Sequence, residues 1–156
     1  MMAKLNRKIE YALIALKYMK GKAPGQVTAA KEICDVHGSP FDATARVLQQ
    51  MVQRGVLLSE HGAHGGYQLI KDLDKISVFD LIEMVSGPVG LAKCLQINAG
   101  VCDIKSTCNI RTPVNYLNAR LTEFYQNISV TELLDMSYPS VQRHPVKQPF
   151  AERSDL

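Results

Sequence analysis

Two short helical patterns joined by a glycine-containing turn constrain the fold of this chain more than any other feature. The first pattern covers AAKEICDVHG, where Thr28 is placed to cap the start and Gly38 to end the helix. The second runs from Phe41 to Arg54: Ser39 can cap it, Pro40 suits its first position and glycine follows it. Two helices joined in this way are typical of a helix-turn-helix.

A glycine-rich hairpin pattern follows the second of these helices directly. Residues 56–60 and 67–70 are two short strand-like runs, and HGAHGG separates them. Before the pair, residues 6–20 show apolar side chains at three- and four-residue spacings, which indicates an amphipathic helix. A helix, a helix-turn-helix and a hairpin in this order predict a winged helix-turn-helix, a mainly α fold with a small β-hairpin wing.

The second helix of the pair carries a polar face whose side chains can reach base edges and phosphates. In a winged helix this element enters the major groove of DNA, and the hairpin tip lies along phosphate or in the minor groove. A solvated helix face and an exposed polar turn would show the same pattern. The expected DNA-contacting residues are Thr28, Pro40, Asp42, Ala43, Thr44, Arg46, Gln49, Gln50, Arg54, His61 and His64.

The charge distribution gives weak support to a polyanionic partner. Residues 1–75 hold eleven Lys and Arg against seven Asp and Glu, whereas residues 76–156 hold seven against eight. No apolar run approaches the roughly 20 residues that a membrane helix needs, and the charged start is unlike a signal peptide, so we expect a cytoplasmic protein. No nucleophile–base pair, phosphate loop or paired carboxylate stands out, which argues against an enzyme.

Three of the four cysteines, Cys94, Cys102 and Cys108, fall in residues 87–112, a segment with little helical or strand periodicity. In a reducing compartment they favour metal binding, redox sensing or core filling over disulfides. Thiolates are soft ligands that suit an iron-sulfur cluster or zinc, although the CxxC knuckles of most structural zinc sites are absent. Cys34 lies on the apolar side of its helix, where a core position explains it.

A long helix from Pro113 to about Ile128 is predicted after the cysteines. Its apolar residues are spaced by four, three and four, which resembles a coiled-coil seam: Leu117, Leu121, Phe124 and Ile128. Because such a helix has little core of its own, a second copy of the chain is its expected partner, and we expect a homodimer. The predicted units are a winged helix-turn-helix (1–86), a cysteine loop (87–112), a dimerisation helix with the following turn (113–135) and a flexible tail (136–156).

Residues 4–135 resemble the IscR/NsrR/RirA family of bacterial winged-helix regulators. The resemblance lies in LNRKIEYALIALKYM, in the span from VTAAKEIC to QRGVL, in HGAHGGYQL, in DLIEMVSG and in three cysteines ahead of a long helix. It implies a homodimeric transcriptional regulator that binds palindromic double-stranded DNA and holds an iron-sulfur cluster. We expect a repressor that senses iron, nitric oxide or redox state.

The same resemblance matches Cys94, Cys102 and Cys108 to the cluster thiolates. Seven and five residues separate them, which is closer to the RirA-like pattern than to the five-and-five pattern of IscR. Arg111 stands where IscR-type proteins have a histidine, and arginine is not expected to ligate a metal, so a 4Fe-4S cluster is favoured over 2Fe-2S. Glu10 falls where an acidic residue of NsrR-like members completes the site from the other subunit, and a solvated helix charge would equally explain it.

Two other functions fit the same residues. The first is a regulator of this fold that carries no cluster and uses its cysteines as a thiol–disulfide switch. The second is an electron-transfer or cluster-carrier protein in which the winged helix docks another protein.

Overall fold

Six α-helices and one two-stranded hairpin make up the fold in the computed structural model, which describes residues 5–95 and 102–136. The chain order is α1 (Arg7–Lys20), α2 (Ala30–His37), α3 (Phe41–Gln53), β1 (Leu57–Glu60), β2 (Gly66–Leu69), α4 (Val78–Ser86), α5 (Arg111–Gln126) and α6 (Val130–Asp135). Short 3-10 turns cover Leu73–Lys75 and Lys93–Leu95. The predicted mainly α fold with a small hairpin is confirmed. The predicted flexible tail from residue 137 onward lies outside the described residues.

The helix caps show where the local sequence signals succeed. Ser77 caps α4: its hydroxyl accepts a hydrogen bond from the Asp80 backbone at 3.0 Å, and the Asp80 carboxylate accepts one from the Ser77 backbone at 2.9 Å. This reciprocal pair is a capping box that satisfies two otherwise unpaired backbone donors. The Asn6 side chain caps α1 by accepting a hydrogen bond from the Lys8 backbone.

Four predicted helix bounds, three starts and one end, are wrong. Ala29, not Thr28, occupies the N-cap of α2, and Pro40 occupies that of α3, each without a side-chain cap bond. The long helix α5 begins at Arg111 and ends at Gln126, two residues before each predicted bound. A proline is tolerated throughout the first helical turn, because its missing N–H would be unpaired there in any case, so Pro113 did not mark the start.

The core lies between α1, α3 and α4, with the base of the hairpin and α6 closing it. Leu16, Leu48, Met51 and Leu81 are fully buried, and each contributes on the order of 1.5–3 kcal/mol by leaving water. Cys34 is also buried, as expected for a core cysteine. No helix in the described ranges has the length and hydropathy needed to cross a membrane.

The second strand of the hairpin is fixed to the start of α2. In its antiparallel register Leu57 lies opposite Leu69 and Glu60 opposite Gly66. The Thr28 N–H donates to the Tyr67 carbonyl at 2.8 Å, and the Tyr67 N–H donates to the Thr28 carbonyl at 2.9 Å. A Cβ on Gly66 would lie 2.5 Å from the Thr28 oxygen, so only glycine permits this approach.

A polar cluster joins the end of α1 and the turn after it to α2. The Tyr18 hydroxyl donates to Glu32 Oε1 at 2.7 Å, and the Lys22 ammonium forms an ion pair with the same oxygen. The hydrogen bonds from Lys22 and then from Tyr18 lower the pKa of Glu32. The hydrogen bond to Glu32 raises the pKa of Tyr18.

This cluster predicts a pH-dependent free energy of unfolding. Because the folded-state pKa of Glu32 is lowered, its contribution is present above its ordinary pKa and is lost as the pH falls through the folded value. Urea unfolding at several pH values should therefore show the wild type more stable than Glu32→Gln at neutral pH, with the difference shrinking in acid. Glu32 is 39% exposed, so salt should reduce the difference as well. A difference that does not change with pH would contradict the assignment.

Candidate nucleic-acid interface and cysteine loop

The exposed side of α3 forms one wall of an open groove. Asp42, Arg46, Gln49 and Gln53 recur along α3 at spacings of four, three and four, which places them on one face. The residues that line the groove are Lys8, Asp42, Ala43, Ala45, Arg46, Val47, Gln49, Gln50, Gln53 and Tyr67. Five of the residues expected to contact DNA therefore share a surface, and α1 and β2 add one side chain each.

Two cations in this groove are available to an anionic ligand. Lys8 and Arg46 are exposed, and neither forms an ion pair with another of the described residues. A neighbouring carboxylate, Asp42, lines the same groove. Gln49 is held from the side, since its Nε2 donates to the Tyr67 hydroxyl at 2.9 Å. The groove thus presents a guanidinium, an ammonium and side-chain amides together, which are the groups that bind phosphates and base edges.

Two residues expected to contact DNA are buried instead, so that expectation is wrong for their side chains. Thr28 is 0% exposed, because its backbone pairs with the hairpin. Thr44 is 1% exposed, because it precedes the buried Val47 and Leu48 by three and four residues on α3. Its hydroxyl donates to Ser39 Oγ at 3.0 Å, within the turn between α2 and α3.

The remaining expected contacts are not among the residues that line this groove. Pro40 is exposed at the start of α3, and His61 and His64 are exposed at the hairpin tip. Arg54 caps the far end of α3 and lines a different depression together with Lys71 and Lys75. Arg54 is therefore separated from the groove that contains Arg46.

The sequence reading missed two groove residues, Lys8 and Tyr67. Lys8 lies in the first turn of α1, and no local signal places that turn beside α3. Tyr67 offered a weak signal, since an aromatic ring with a polar tip on a half-exposed strand commonly meets a hydrogen-bond partner. Their contribution depends on how three separate elements pack.

The cysteine loop is described on both sides of residues 96–101. Cys94 is exposed, Cys102 and Cys108 are half-buried, and all three are free thiols. Among the described residues, no three His, Cys, Asp or Glu side chains are grouped so that they could hold a metal ion. The Glu10 carboxylate accepts a hydrogen bond from Arg7 at 2.8 Å within its own helix.

The long helix α5 leaves most of its apolar side chains uncovered. No residue of α5 is buried, and Tyr116, Leu117 and Phe124 are 69%, 53% and 59% exposed. Leu121 is half-buried and lines a cavity of about 280 Å³ between α1, α4 and α5. Ile128 follows the end of α5 and packs partly against the core, so it does not lie on the same helix as the other three residues of the predicted seam.

A comparison with protein families identifies the chain. The model of the Rrf2 family, described as an iron-dependent transcriptional regulator, matches residues 5–136. The chain belongs to the Rrf2 family. Rrf2 proteins are transcriptional regulators and not enzymes, which confirms the class predicted from the sequence.

Individual relatives agree with this assignment. An Aquifex aeolicus (strain VF5) protein, named among the HTH-type transcriptional regulators, is 27% identical to this Rrf2 chain over 129 residues, covering 82% of the chain and 89% of the relative. CymR, the global cysteine regulator of B. subtilis, has a similar structure, with a TM-score of 0.64, 19% identity and coverage of 88% of this chain and 100% of CymR. The T. potens IscR structure has a TM-score of 0.60 and 20% identity. The match covers 88% of this chain and 95% of that IscR chain. These structures confirm the winged-helix fold.

Proposed function

We propose that this Rrf2 protein represses transcription in the cytoplasm by binding a palindromic DNA operator as a homodimer. The observation that carries the proposal is the groove along α3, where Arg46, Gln49 and Gln50 share one open surface with Lys8. An arginine guanidinium matches the O6 and N7 acceptors of guanine, and a glutamine amide matches N6 and N7 of adenine. With α3 in the major groove, His61 and His64 at the hairpin tip would lie toward the sugar–phosphate backbone and minor groove, as in a winged helix.

The exposed apolar face of α5 supports the homodimer. Leu117 and Phe124 are seven residues apart, two helical turns, and both are more than half exposed. A second copy that packs the same face against this one would cover them by a two-fold axis. Two copies of α3 would then read two half-sites, which requires a palindromic operator.

We further propose that Cys94, Cys102 and Cys108 hold an iron-sulfur cluster, with 4Fe-4S favoured and with Glu10 of a second copy as the fourth ligand. The donor chemistry fits, since three free thiols lie within fifteen residues and soft thiolates are the usual ligands of such clusters. The family description as iron-dependent agrees with this ligand set. A bound cluster would supply a centre that responds to iron, nitric oxide or oxidants.

The position of the cysteines suggests how such a signal reaches DNA. Cys108 lies three residues before Arg111, the first residue of α5, and Leu91 at the other end of the loop donates its N–H to Asn118 of α5 at 3.0 Å. A change at the cysteines would therefore alter the position of α5, the helix that sets the spacing of the two α3 helices in the proposed dimer. Regulation requires that the two states of the loop differ in their affinity for DNA.

A thiol switch of the same fold is the second candidate. The exposure of Cys94 favours it, because an accessible thiol can react with oxidants without cluster chemistry. It shares the DNA-binding surface with the first candidate and differs from it in iron and sulfide content.

Arg46→Ala tests the DNA-binding surface. The test duplex is the consensus that the wild-type protein selects from a randomised double-stranded pool. We expect the substitution to weaken binding to this duplex by roughly 1–3 kcal/mol and to weaken binding to random DNA less, because the guanidinium reads a base. Fluorescence anisotropy at fixed salt measures both affinities.

Arg54→Ala is the matched control, since Arg54 lies at the other end of α3 beside Lys71. It removes the same charge outside the groove and should leave the ratio of specific to random binding unchanged. Equal losses on both duplexes for Arg46→Ala would make Arg46 a phosphate contact. No loss on either would remove this groove from the interface.

A further inference from the structure

Tyr67 occupies a fixed position where three elements meet. It lies opposite Ser59 in the hairpin, and its backbone exchanges two hydrogen bonds with Thr28 at the entry to α2. Gly66 permits that exchange because a Cβ there would overlap the Thr28 carbonyl. The aromatic ring therefore starts from a backbone that is anchored on both sides, and it reaches the groove beside α3.

The tip of this ring meets Gln49, a residue on the exposed face of α3. Gln49 Nε2 donates to the Tyr67 hydroxyl at 2.9 Å. A glutamine amide has two N–H donors and one oxygen acceptor, so one N–H and the oxygen remain free after this bond is made. The oxygen and the N–H on its own side of the amide are the pair that matches N6 and N7 of adenine, and this pair stays free when Tyr67 takes the other N–H.

We infer that Tyr67 is a positioning residue that holds the Gln49 amide ready to read a base pair. The inference rests on the proposed DNA binding and deepens it, since it assigns a role in sequence specificity to the wing. An unrestrained glutamine on a helix surface loses side-chain freedom when it binds a base, whereas a glutamine already held by a hydroxyl loses less. Removing the hydroxyl should therefore weaken binding to the correct sequence and leave phosphate contacts unaffected.

The test compares the full-length wild type with Tyr67→Phe, Gln49→Ala and the double variant. Each is measured on the consensus duplex that the wild type selects and on a random duplex of equal length. We expect Tyr67→Phe to weaken consensus binding roughly three- to tenfold, the range that corresponds to one ordered side chain, and to leave random binding unchanged. In the double variant the Tyr67→Phe change should cause no loss beyond that of Gln49→Ala.

Repeating the selection with each single variant supplies a readout that a stabilising role would not affect. Both variants should relax the preference at the same base-pair position of the consensus. Tyr125→Phe is the matched control, because it removes a phenol hydroxyl from α5, at the cavity between α1, α4 and α5. It should leave the consensus unchanged. Gln49→Ala breaks the same hydrogen bond from the exposed surface of α3, so the relaxed position is measurable even if Tyr67→Phe folds poorly.

Additive losses in the double variant, or equal losses on consensus and random DNA, would overturn the positioning role. Relaxation at different base-pair positions in the two single variants would overturn it too. If the wild type selects no consensus at all, the proposed function fails and this inference fails with it. A consensus accompanied by additive losses overturns only the pairing of Tyr67 with Gln49.

Discussion

Leu117→Asp is expected to convert the proposed dimer into monomers and to remove the tight binding that we propose to an operator with two half-sites. Leu117 is 53% exposed on α5, on the uncovered apolar face that also carries Phe124. In a two-fold interface each substitution occurs twice, so the complex loses two buried leucines, each worth roughly 1.5–3 kcal/mol. Two carboxylates would also approach each other. The dissociation constant of the dimer should rise by about two orders of magnitude or more.

Light scattering and sedimentation at several protein concentrations measure the change in mass directly. Ala119→Asp is the matched control, because Ala119 is exposed on the other side of α5, two residues along the helix. It adds the same charge and should leave the dimer intact. Leu121 is less suitable, since it lines the cavity within its own protomer, and a charge there would destabilise the fold. A dimer that survives Leu117→Asp would show that this face of α5 is not the interface.

Most of the fold was predictable because its signals are local. The capping box at Ser77, the left-handed Gly38 after α2 and the glycine-rich hairpin tip each depend on residues only a few positions apart. The error at Thr28 has a cause that is distant in the sequence, because Thr28 pairs with Tyr67. Thr28 is a good capping residue by type, but its backbone is used by the hairpin, so the helix starts one residue later.

Of the residues in the candidate site, only those on the single helix α3 could be predicted from the sequence. The spacing of Asp42, Arg46 and Gln49 defines a face, and that face is exposed. Thr44 shows the limit of reading polarity alone, since a polar residue on the core side of α3 is buried. Lys8 and Tyr67 come from other elements, so their place in the groove follows from tertiary packing, which residue spacing does not encode.

The complete ligand set of the proposed cluster depends on more than the packing of one chain. Three thiols within fifteen residues identify a soft ligand set, but a cluster gathers its ligands as it binds. The fourth ligand that we propose, Glu10, would come from a second copy. In the single chain its carboxylate is paired with Arg7, as an ordinary helix charge would be.

Cys102→Ser is expected to abolish cluster binding. Protein prepared without oxygen should contain iron and acid-labile sulfide and absorb visible light, because three thiolates on one loop can hold a cluster. Serine replaces a soft thiolate by a hard hydroxyl that is not ionised at neutral pH, so the variant should lose both iron and sulfide. Cys34→Ser is the matched control, since Cys34 is buried beside Ser39 outside the loop, and it should keep them.

The same measurements separate the two sensing mechanisms and locate the fourth ligand. A colourless wild-type protein without iron or sulfide, whose thiol count falls after peroxide, would replace the cluster by a thiol switch. If the cluster is present, Glu10→Ala should shorten its lifetime in air, because a vacant fourth position admits solvent and oxidant. Arg7→Ala removes the ion-pair partner of Glu10 and leaves the carboxylate in place, so it should not shorten that lifetime. An unchanged spectrum and lifetime in Glu10→Ala would assign the fourth ligand to another residue.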